Sequence, residues 1–290
     1  MASHVMKRYW LRWLAVVLVV LIGLGPRSSA AAANARSNEL ALHLYVGKLR
    51  TVQVEIEGRV ATLIFDTGAG ITSVTPEFAA QIGCEPRGHV SAFRMNGERV
   101  AFRLCPALSV QIGGARTERD LGVFDLGSVL PQGLPHVDGI AGLDLFDGRT
   151  ITILPGLSGL RLETRSSLRR AVGASTPARL RMAREAGGIG LTVFCPARSR
   201  QGDVWLLLDS GNLAGIRLHP WAVAALGEPT EATRTSRIQL SIEGAAPETV
   251  EAEIVNELIY DGALNADFLE RRALTLDLDR GRAWWQPPSD

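Results

Sequence analysis

Two short segments of the sequence combine an apolar strand with an acidic turn. Residues 63–69 have the sequence LIFDTGA, and residues 206–212 have the sequence LLLDSGN, so Asp66 and Asp209 stand 143 positions apart. Two carboxylates held close together cannot both ionise easily, so one of them keeps a proton. Such a pair supplies a general base and a general acid in one site. The sequence therefore predicts a shared catalytic centre made of Asp66 and Asp209.

The repeat extends beyond the two acidic turns. Residues 76–83 match residues 220–227 at an offset of 144, and residues 137–144 match residues 260–267 at an offset of 123. The fall in the offset means that the middle of the second copy is shorter by 21 residues. Thirty Gly, fourteen Pro and many short apolar runs bounded by turns favour mostly β structure. The sequence is therefore an internal duplication.

These motifs resemble those of the aspartic peptidases, including exported aspartyl proteases of bacterial type. Each copy is similar to a retropepsin subunit, and the two copies are fused as in the pepsin-like enzymes. The resemblance covers roughly residues 45–285 and rests on the two acidic motifs and the apolar turn at residues 140–142. It implies a mostly β fold of two tandem acid-protease lobes with a cleft between them. It also implies an aspartic-type endopeptidase, a hydrolase that cleaves peptide bonds with an activated water.

The resemblance assigns roles to seven residues of the two motifs. The two Asp residues become the catalytic dyad, and the hydroxyls of Thr67 and Ser210 lock the two loops against each other. The residues assigned to the site are the catalytic Asp66 and Asp209 and the supporting Thr67, Gly68, Ser210, Gly211 and Asn212.

The second copy departs from the first in the apolar turn, where Asn265 replaces Gly142. Asn tolerates a positive φ better than most residues, so the backbone of the turn can survive the replacement. The departure also favours an alternative function. In that alternative the chain is a catalytically silent acid-protease fold that acts as a peptide-binding or regulatory protein.

The residue after each acidic motif also differs, with Ala69 in the first copy and Asn212 in the second. An Asn amide that hydrogen-bonds an ionised Asp lowers its pKa, so we expect Asp209 to be the carboxylate and Asp66 to hold the proton. Ala69 replaces the hydroxyl residue of acid-adapted relatives. The resemblance therefore implies a mildly acidic to near-neutral optimum.

A β-hairpin is predicted about 30 residues after Asp66, where the resembled family has its substrate flap. Asn96 and Gly97 form a typical hairpin turn between β-prone flanks. Phe93 and Met95 are the candidates for substrate contact. The second copy has no matching Asn-Gly hairpin, so we expect a single flap; the alternative is an ordinary exposed hairpin.

The N-terminus has the layout of a secretory signal, with positive residues, then an apolar run of about 12 residues, then small residues. The run is shorter than the roughly 20 residues of a membrane-spanning helix. We therefore expect export to the periplasm or the extracellular space, with residues 1–35 as a signal peptide. An uncleaved membrane anchor through residues 9–25 is the alternative. An N-terminal lobe with the flap (36–164), an interlobe linker (165–188) and a C-terminal lobe (189–290) follow.

Charge and composition limit the partners of the chain. The net charge of +1 gives no reason to invoke nucleic acid. The five His residues are scattered without ligand spacing, so no metal and no other cofactor is expected. Two half-sites in one chain favour a monomer, whose partner is a peptide or protein substrate.

The three Cys residues leave two interpretations open. In an oxidising compartment, Cys84 and Cys105 could form a disulfide and leave Cys195 free. All three lie in apolar or Pro-bounded surroundings, where a buried free thiol is ordinary. Three free thiols are the expectation, and the Cys84–Cys105 bond is the alternative.

Overall fold

The computed structural model describes residues 38–227 and 234–286, which belong to one compact unit. Strands dominate these residues, so the predicted mostly β fold is confirmed. The expected signal or anchor at residues 1–35 lies outside the described residues, as does the proposed membrane contact at residues 9–25. Within the described ranges, no helix is long and apolar enough to cross a membrane.

An eight-stranded sheet carries the first acidic motif. Its strands are β2 (His43–Leu44), β3 (Arg50–Ile56), β4 (Arg59–Phe65), β5 (Ser73–Val74), β6 (Arg87–Phe93), β7 (Arg99–Ile112), β8 (Ala115–Val123) and β9 (Gly139–Ala141). Their spatial order is β2-β3-β4-β9-β5-β8-β7-β6. In β3 the apolar residues Val52, Val54 and Ile56 are buried and alternate with exposed Gln53 and Glu55, the period of a half-buried strand.

A seven-stranded sheet carries the second acidic motif. Its strands are β13 (Arg181–Ala183), β14 (Thr192–Ser199), β15 (Gly202–Leu208), β16 (Ile216–Leu218), β17 (Thr235–Leu240), β18 (Glu248–Ile254) and β19 (Gly262–Leu264). Their order is β13-β14-β15-β19-β16-β18-β17. The segment β15-β19-β16-β18 has the same parallel and antiparallel pairings as β4-β9-β5-β8 in the first sheet. The two halves of the chain, residues 38–164 and 189–286, thus repeat one topology.

A six-stranded sheet joins the two halves, in the order β1-β11-β10-β20-β21-β12. Its strands are β1 (Glu39–Ala41), β10 (Thr150–Ile153), β11 (Gly159–Leu162), β12 (Ala178–Arg179), β20 (Leu274–Asp277) and β21 (Arg282–Trp285). Thr152 of β10 lies opposite Thr275 of β20, with the two hydroxyl oxygens 2.8 Å apart. These residues are equivalent in the two copies, so the pseudo-two-fold axis of the duplication passes between them.

The apolar core is continuous through both halves. It includes Phe65 and Phe146 from the first half and Phe268 from the second, all of which are almost fully buried. Burial of apolar surface is the main favourable term in folding. The halves are therefore held together by a shared core as well as by a shared sheet.

Within the described residues, four short α-helices accompany the sheets: α1 (Pro76–Gln81), α2 (Arg165–Val172), α3 (Pro220–Ala225) and α4 (Ala266–Glu270). Short 3₁₀ turns lie at Leu126–Ser128, Leu143–Phe146, Pro155–Leu157 and Ala186–Gly188. The equivalent helices α1 and α3 each begin with Pro, which lacks an N–H and has a helical φ. A side chain caps each of them, because Thr75 Oγ1 accepts from Phe78 N at 3.2 Å and His219 Nδ1 accepts from Trp221 N at 3.3 Å.

The 21 residues missing from the second copy come from two places. In the first half, the end of α1 (Gln81) and the start of β9 (Gly139) are 58 positions apart. In the second half, the end of α3 (Ala225) and the start of β19 (Gly262) are 37 positions apart. Thirteen of these residues belong to the hairpin region between the helix and the end of β8, and eight belong to the loop before β9. Among the described residues, the second half has no counterpart of β6.

Cys84 and Cys105 form a disulfide, with their Cα atoms 6.0 Å apart. The expectation of three free thiols is therefore wrong for this pair. Cys84 follows α1, and Cys105 lies in β7, so the fold brings together two thiols 21 positions apart. Cys195 is free and buried, and its burial raises the pKa of the thiol.

Candidate active site

Both acidic motifs begin where a buried strand ends in the middle of its sheet. The backbone N–H of Asp66 donates to the carbonyl oxygen of Ala141 at 3.0 Å. The backbone N–H of Asp209 donates in the same way to Leu264 at 3.2 Å. Each Asp is thus fixed to the neighbouring parallel strand, β9 or β19. The position of each carboxyl group is set by a sheet and not by a free loop.

The hydroxyl residues of the two motifs connect the loops reciprocally. The N–H of Thr67 donates to Ser210 Oγ at 3.0 Å, and the N–H of Ser210 donates to Thr67 Oγ1 at 3.0 Å. The hydroxyls in turn donate across the centre, Thr67 to Leu208 O at 2.7 Å and Ser210 to Phe65 O at 3.4 Å. Both side chains are buried, so water does not compete for these bonds. The loops are therefore locked to each other.

Two glycines allow the motifs to approach closely. A Cβ on Gly68 would lie 2.6 Å from Cγ of Asp209, and a Cβ on Gly211 would meet the carboxyl group of Asp66 in the same way. The N–H of Gly68 donates to Asp66 Oδ1 at 2.8 Å. The N–H of Gly211 donates both to Asp66 Oδ1 at 3.1 Å and to Asp209 Oδ1 at 3.0 Å. Each carboxyl group therefore lies against the glycine of the other motif.

The environment of the two carboxyl groups favours one shared proton. Burial raises the pKa of both Asp66 and Asp209 above the ordinary value of an Asp. The negative charge of Asp66 raises the pKa of Asp209 further. Donated hydrogen bonds from Gly68, Asp209 and Gly211 act against the effect of burial on Asp66. The two carboxyl groups therefore hold one proton between them.

The Asn212 side chain does not act on Asp209 in the way that the sequence suggested. It folds back into its own loop, where Nδ2 donates to Gly215 O at 3.3 Å and Oδ1 accepts from Ala214 N at 3.1 Å. The backbone N–H groups of Gly211 and Asn212 lower the pKa of Asp209 instead. The premise of the expectation therefore fails, and the position of the shared proton stays a prediction.

Asn265 supports the second acidic loop in a way that the sequence analysis did not anticipate. Its φ is −101°, so its backbone is extended and has no need of the left-handed region. Its Oδ1 accepts from Phe268 N at 3.1 Å and caps α4, and its Nδ2 donates to Ala214 O at 3.2 Å. Asn265 thus joins a helix to the acidic loop above it.

The predicted hairpin is formed by β6 and β7, and its turn reaches the second half. Gly97 in the turn has a φ of 78°, and Asn96 accepts from Glu98 N at 3.2 Å. The carbonyl oxygen of Met95 accepts from Ile259 N at 3.0 Å, and the Met95 side chain packs against an apolar cluster at β14 and β15. Phe93 is 54% exposed. The hairpin therefore bridges the two halves through Met95, beside the strand that leads to the second acidic motif.

Two polar residues near the dyad were not found from the sequence. Tyr260 donates from its hydroxyl to Glu185 Oε1 at 3.0 Å, and Glu185 Oε2 lies 3.5 Å from the place where a Cβ on Gly70 would be. Burial raises the pKa of Tyr260, and the charges of Glu185 and Asp209 raise it further. Glu185 lies in the segment predicted to be a linker, where no motif marks it.

One family model matches part of the first half. Residues 52–137, which include Asp66 and the hairpin, match the family model described as "gag-polyprotein putative aspartyl protease". The first half thus carries an aspartyl-protease-like domain. Among solved structures 410 chains match, and one of them is basic 7S globulin from soybean. No curated protein matches the chain.

The match to basic 7S globulin extends the likeness beyond the aspartyl-protease-like domain. It covers 86% of this chain and 94% of that chain, with a TM-score of 0.53 and 10% sequence identity. At this identity the likeness concerns the fold alone. The chain therefore has a pepsin-like fold, which confirms the fold class predicted from the sequence.

Proposed function

We propose that the protein is an aspartic endopeptidase in which Asp66 and Asp209 activate one water between them. The observation that carries the proposal is the reciprocal contact of the motifs, in which each carboxyl group lies against the glycine of the other motif. Two carboxyl groups in such contact share a proton, the arrangement used by aspartic proteases. The raised pKa of both groups supports the same assignment.

In the mechanism that we propose, the shared proton begins on Asp209, because the negative charge of Asp66 raises the pKa of that group. Asp66, as the carboxylate, takes a proton from the water while the water oxygen attacks the peptide carbonyl carbon. Asp209, as the acid, gives its proton to the carbonyl oxygen, so the intermediate carries no net charge on that oxygen. When the intermediate breaks down, the C–N bond is cleaved and the leaving nitrogen receives a proton from the dyad. The rigid lock of Thr67 and Ser210 keeps both groups in place throughout.

A cleavage assay with matched variants tests this proposal. The purified protein is incubated with a mixed peptide library from about pH 3 to about pH 8, a range that covers the titration of raised carboxyl groups. Asp66→Asn and Asp209→Asn are each expected to abolish cleavage, and pepstatin is expected to inhibit it. Asp279→Asn, which changes an exposed Asp, serves as the control and is expected to retain full activity. Activity that survives in either dyad variant would overturn the shared centre.

The alternative is a catalytically silent protein that binds peptides in the same cleft. Asn265 was the feature that favoured it. Its hydrogen bonds to Ala214 and Phe268 support an intact acidic loop, so Asn265 no longer counts against catalysis. Binding of library peptides to the folded wild-type protein without any turnover would establish the alternative.

The remaining expectations form part of the same proposal. We infer two lobes on either side of a cleft, a monomeric enzyme and a peptide or protein substrate, because both motifs come from one chain. The N-terminal sequence pattern supports export to the periplasm or beyond, with a membrane anchor as the alternative. The Cys84–Cys105 disulfide is consistent with an oxidising compartment. Fractionation of cells that express the full chain would test the location.

A further inference from the structure

A carboxylate without a cationic partner among the described residues lies against the first acidic loop. Among the described residues, Glu185 forms no ion pair, and its neighbour Arg184 is held by a bidentate pair with Asp147 at 2.7 Å. The side chain of Glu185 is partly buried and accepts only from the hydroxyls of Tyr260, at 3.0 Å, and Thr192, at 3.5 Å. A charge that receives only neutral donors retains a strong attraction for a cation.

The backbone around Glu185 is well fixed. Its carbonyl oxygen accepts from Gly188 N at 3.0 Å and from Gly190 N at 3.1 Å, so the short 3₁₀ turn at Ala186–Gly188 closes on Glu185 itself. Leu191, which follows Gly190, donates its N–H to Gly70 O at 2.6 Å. Gly70 follows Asp66 by four positions. The carboxylate is therefore held at a constant distance from the first acidic loop.

An apolar wall leads to this carboxylate. Phe194 and Leu207 are buried in a small cluster, against which Met95 of the hairpin and Tyr260 pack. The ring of Tyr260 meets that of Phe194 edge to face, with centroids 5.1 Å apart. The wall thus runs from the hairpin to the hydroxyl of Tyr260, which hydrogen-bonds Glu185.

We propose that Glu185 is a specificity-determining residue that selects substrates with Lys or Arg near the scissile bond. The proposal rests on the proposed peptidase function. A Lys or Arg side chain has an apolar stem and a cationic head, so the stem fits the wall while the head reaches Glu185. An acidic side chain in the same place is repelled by Glu185 and by the negative charge of the dyad.

The test compares peptides that differ at one position. Lys, norleucine and Glu are placed in turn at each position around the cleaved bond, and kcat and KM are measured. Norleucine keeps the stem and removes the charge. We expect one position at which the wild-type protein prefers Lys to norleucine by about 10- to 100-fold in kcat/KM, the range of a charge-assisted hydrogen bond in a partly desolvated site.

Two variants separate selection from a structural role. Glu185→Gln keeps an oxygen for the hydroxyl of Tyr260, so the site stays folded, and the preference for Lys is expected to vanish while cleavage of the norleucine peptide is unchanged. Glu185→Lys is expected to reverse the preference toward Glu. Glu251→Gln, an exposed change on β18, is the control and is expected to keep the preference. An equal loss on all peptides in Glu185→Gln would overturn selection.

The outcomes distinguish this proposal from the peptidase function. Cleavage by the wild-type protein without any preference for Lys would overturn the role of Glu185 and leave the peptidase function standing. If no peptide is cleaved, the peptidase function fails, and calorimetric binding of the same peptides decides the role of Glu185. In that case, tighter binding of the Lys peptide that is lost in Glu185→Gln supports the role, and equal binding overturns it.

Discussion

The two halves support their acidic loops with the same backbone geometry and different side chains. In the first half, the N–H of Gly142 donates to Thr72 Oγ1 at 3.0 Å, and Thr72 Oγ1 donates to the buried Asp144 at 2.7 Å. In the second half, the amide of Asn265 takes over this task and donates to Ala214 O at 3.2 Å.

The difference is explained by the space under each loop. A Cβ on Gly142 would lie 2.6 Å from Asp144 Oδ1, so the buried carboxyl group excludes any side chain there. The equivalent of Asp144 in the second half is Asp267, which is exposed and forms an ion pair with Lys48. Because Asp267 turns toward Lys48, the side chain of Asn265 fits under the loop, where its Nδ2 also donates to Asp267 Oδ2 at 3.3 Å. The duplication therefore requires a hydrogen-bonded support under each loop and accepts different residues for it.

Replacing Gly142 of the first half by Asn, the equivalent residue of the second half, should cause the largest loss of stability. Gly142→Asn is expected to lower the free energy of unfolding by about 3–4 kcal/mol, because the new Cβ meets Asp144 and the backbone of Ile71. Urea denaturation measures the change. The matched control is Gly148→Asn, where a Cβ meets nothing within 4 Å, and its loss should stay below about 1 kcal/mol. Equal losses in the two variants would remove steric exclusion as the explanation.

Among the described residues, only the first half contains a disulfide. Its removal should cause the second-largest loss of stability. Replacement of Cys84 and Cys105 by Ser is expected to lower the free energy of unfolding by about 3 kcal/mol, since the disulfide closes a loop of 21 residues in the unfolded chain. Cys195→Ser changes the free thiol and controls for loss of a sulfur. Reductant should no longer lower the stability of the double variant. If it still does, the disulfide is not the cause of the sensitivity to reductant.

The support under the first acidic loop ends on the buried carboxyl group of Asp144, so it should make stability depend on pH. Burial raises the pKa of Asp144 to about 6, against hydrogen bonds from Thr72. The folded state therefore binds this proton more tightly than the unfolded state, so the contribution is complete below the ordinary pKa of 3.8 and is lost as the pH rises through about 6. The loss amounts to at most about 3 kcal/mol.

Denaturation of Asp144→Asn at several pH values measures this contribution. The dyad changes stability in the same direction, but it is present in both proteins, so the difference between wild type and variant isolates Asp144. The difference should change steadily between about pH 4 and about pH 7. Parallel curves would show that Asp144 does not titrate in this range.

A smaller effect is expected when the support in the second half is removed. Asn265→Ala eliminates both the helix cap and the bond to Ala214, and should cost about 2 kcal/mol of unfolding free energy. Asn265→Ser keeps a capping oxygen and loses the donor to Ala214 without placing a second carboxylate beside Asp267, so its loss should be smaller. If both variants lose the same stability, the cap contributes nothing and the donor alone supports the loop.

The smallest effect concerns the residues that follow the motifs. Asn212→Ala makes the second motif resemble the first, which has Ala69. Because the amide of Asn212 bonds only within its loop, we expect no shift in either limb of the pH–activity profile. The profile itself should lie above the ordinary pKa of an Asp in both limbs, since burial raises the pKa of both members of the dyad. A shift in Asn212→Ala would mean that its amide reaches Asp209 during turnover.

The features predicted from the sequence are those that depend on local patterns. The apolar runs before Asp66 and Asp209 form strands that are buried in their sheets, and Pro76 and Pro220 begin equivalent helices. The Asn-Gly pair predicted a hairpin at Asn96 because its turn geometry is local. The shortening of the second copy was read from the offsets, although eight of the 21 residues come from a loop and not from the hairpin.

The features that escaped prediction depend on where a side chain points. Asn212 could bond either Asp209 or its own loop, and only the loop geometry decides between them. Glu185 comes close to Gly70 and follows β13, the counterpart of β2. Residues 45–49, which follow β2, include no acidic side chain, so the duplication gives no hint of Glu185. The sequence did contain a local signal for Asn265, because Asn is a preferred residue at the N-cap of a helix. The N–H that it caps belongs to Phe268, three positions later.

The shared six-stranded sheet has a consequence for the integrity of the chain. Residues 173–177 are exposed and connect α2 to β12. A single proteolytic cut there would leave β10 on one fragment and β20 on the other, still paired through Thr152 and Thr275. The two fragments would remain together as a non-covalent heterodimer. The duplicated protein would then return to an assembly of two separate polypeptides around one centre.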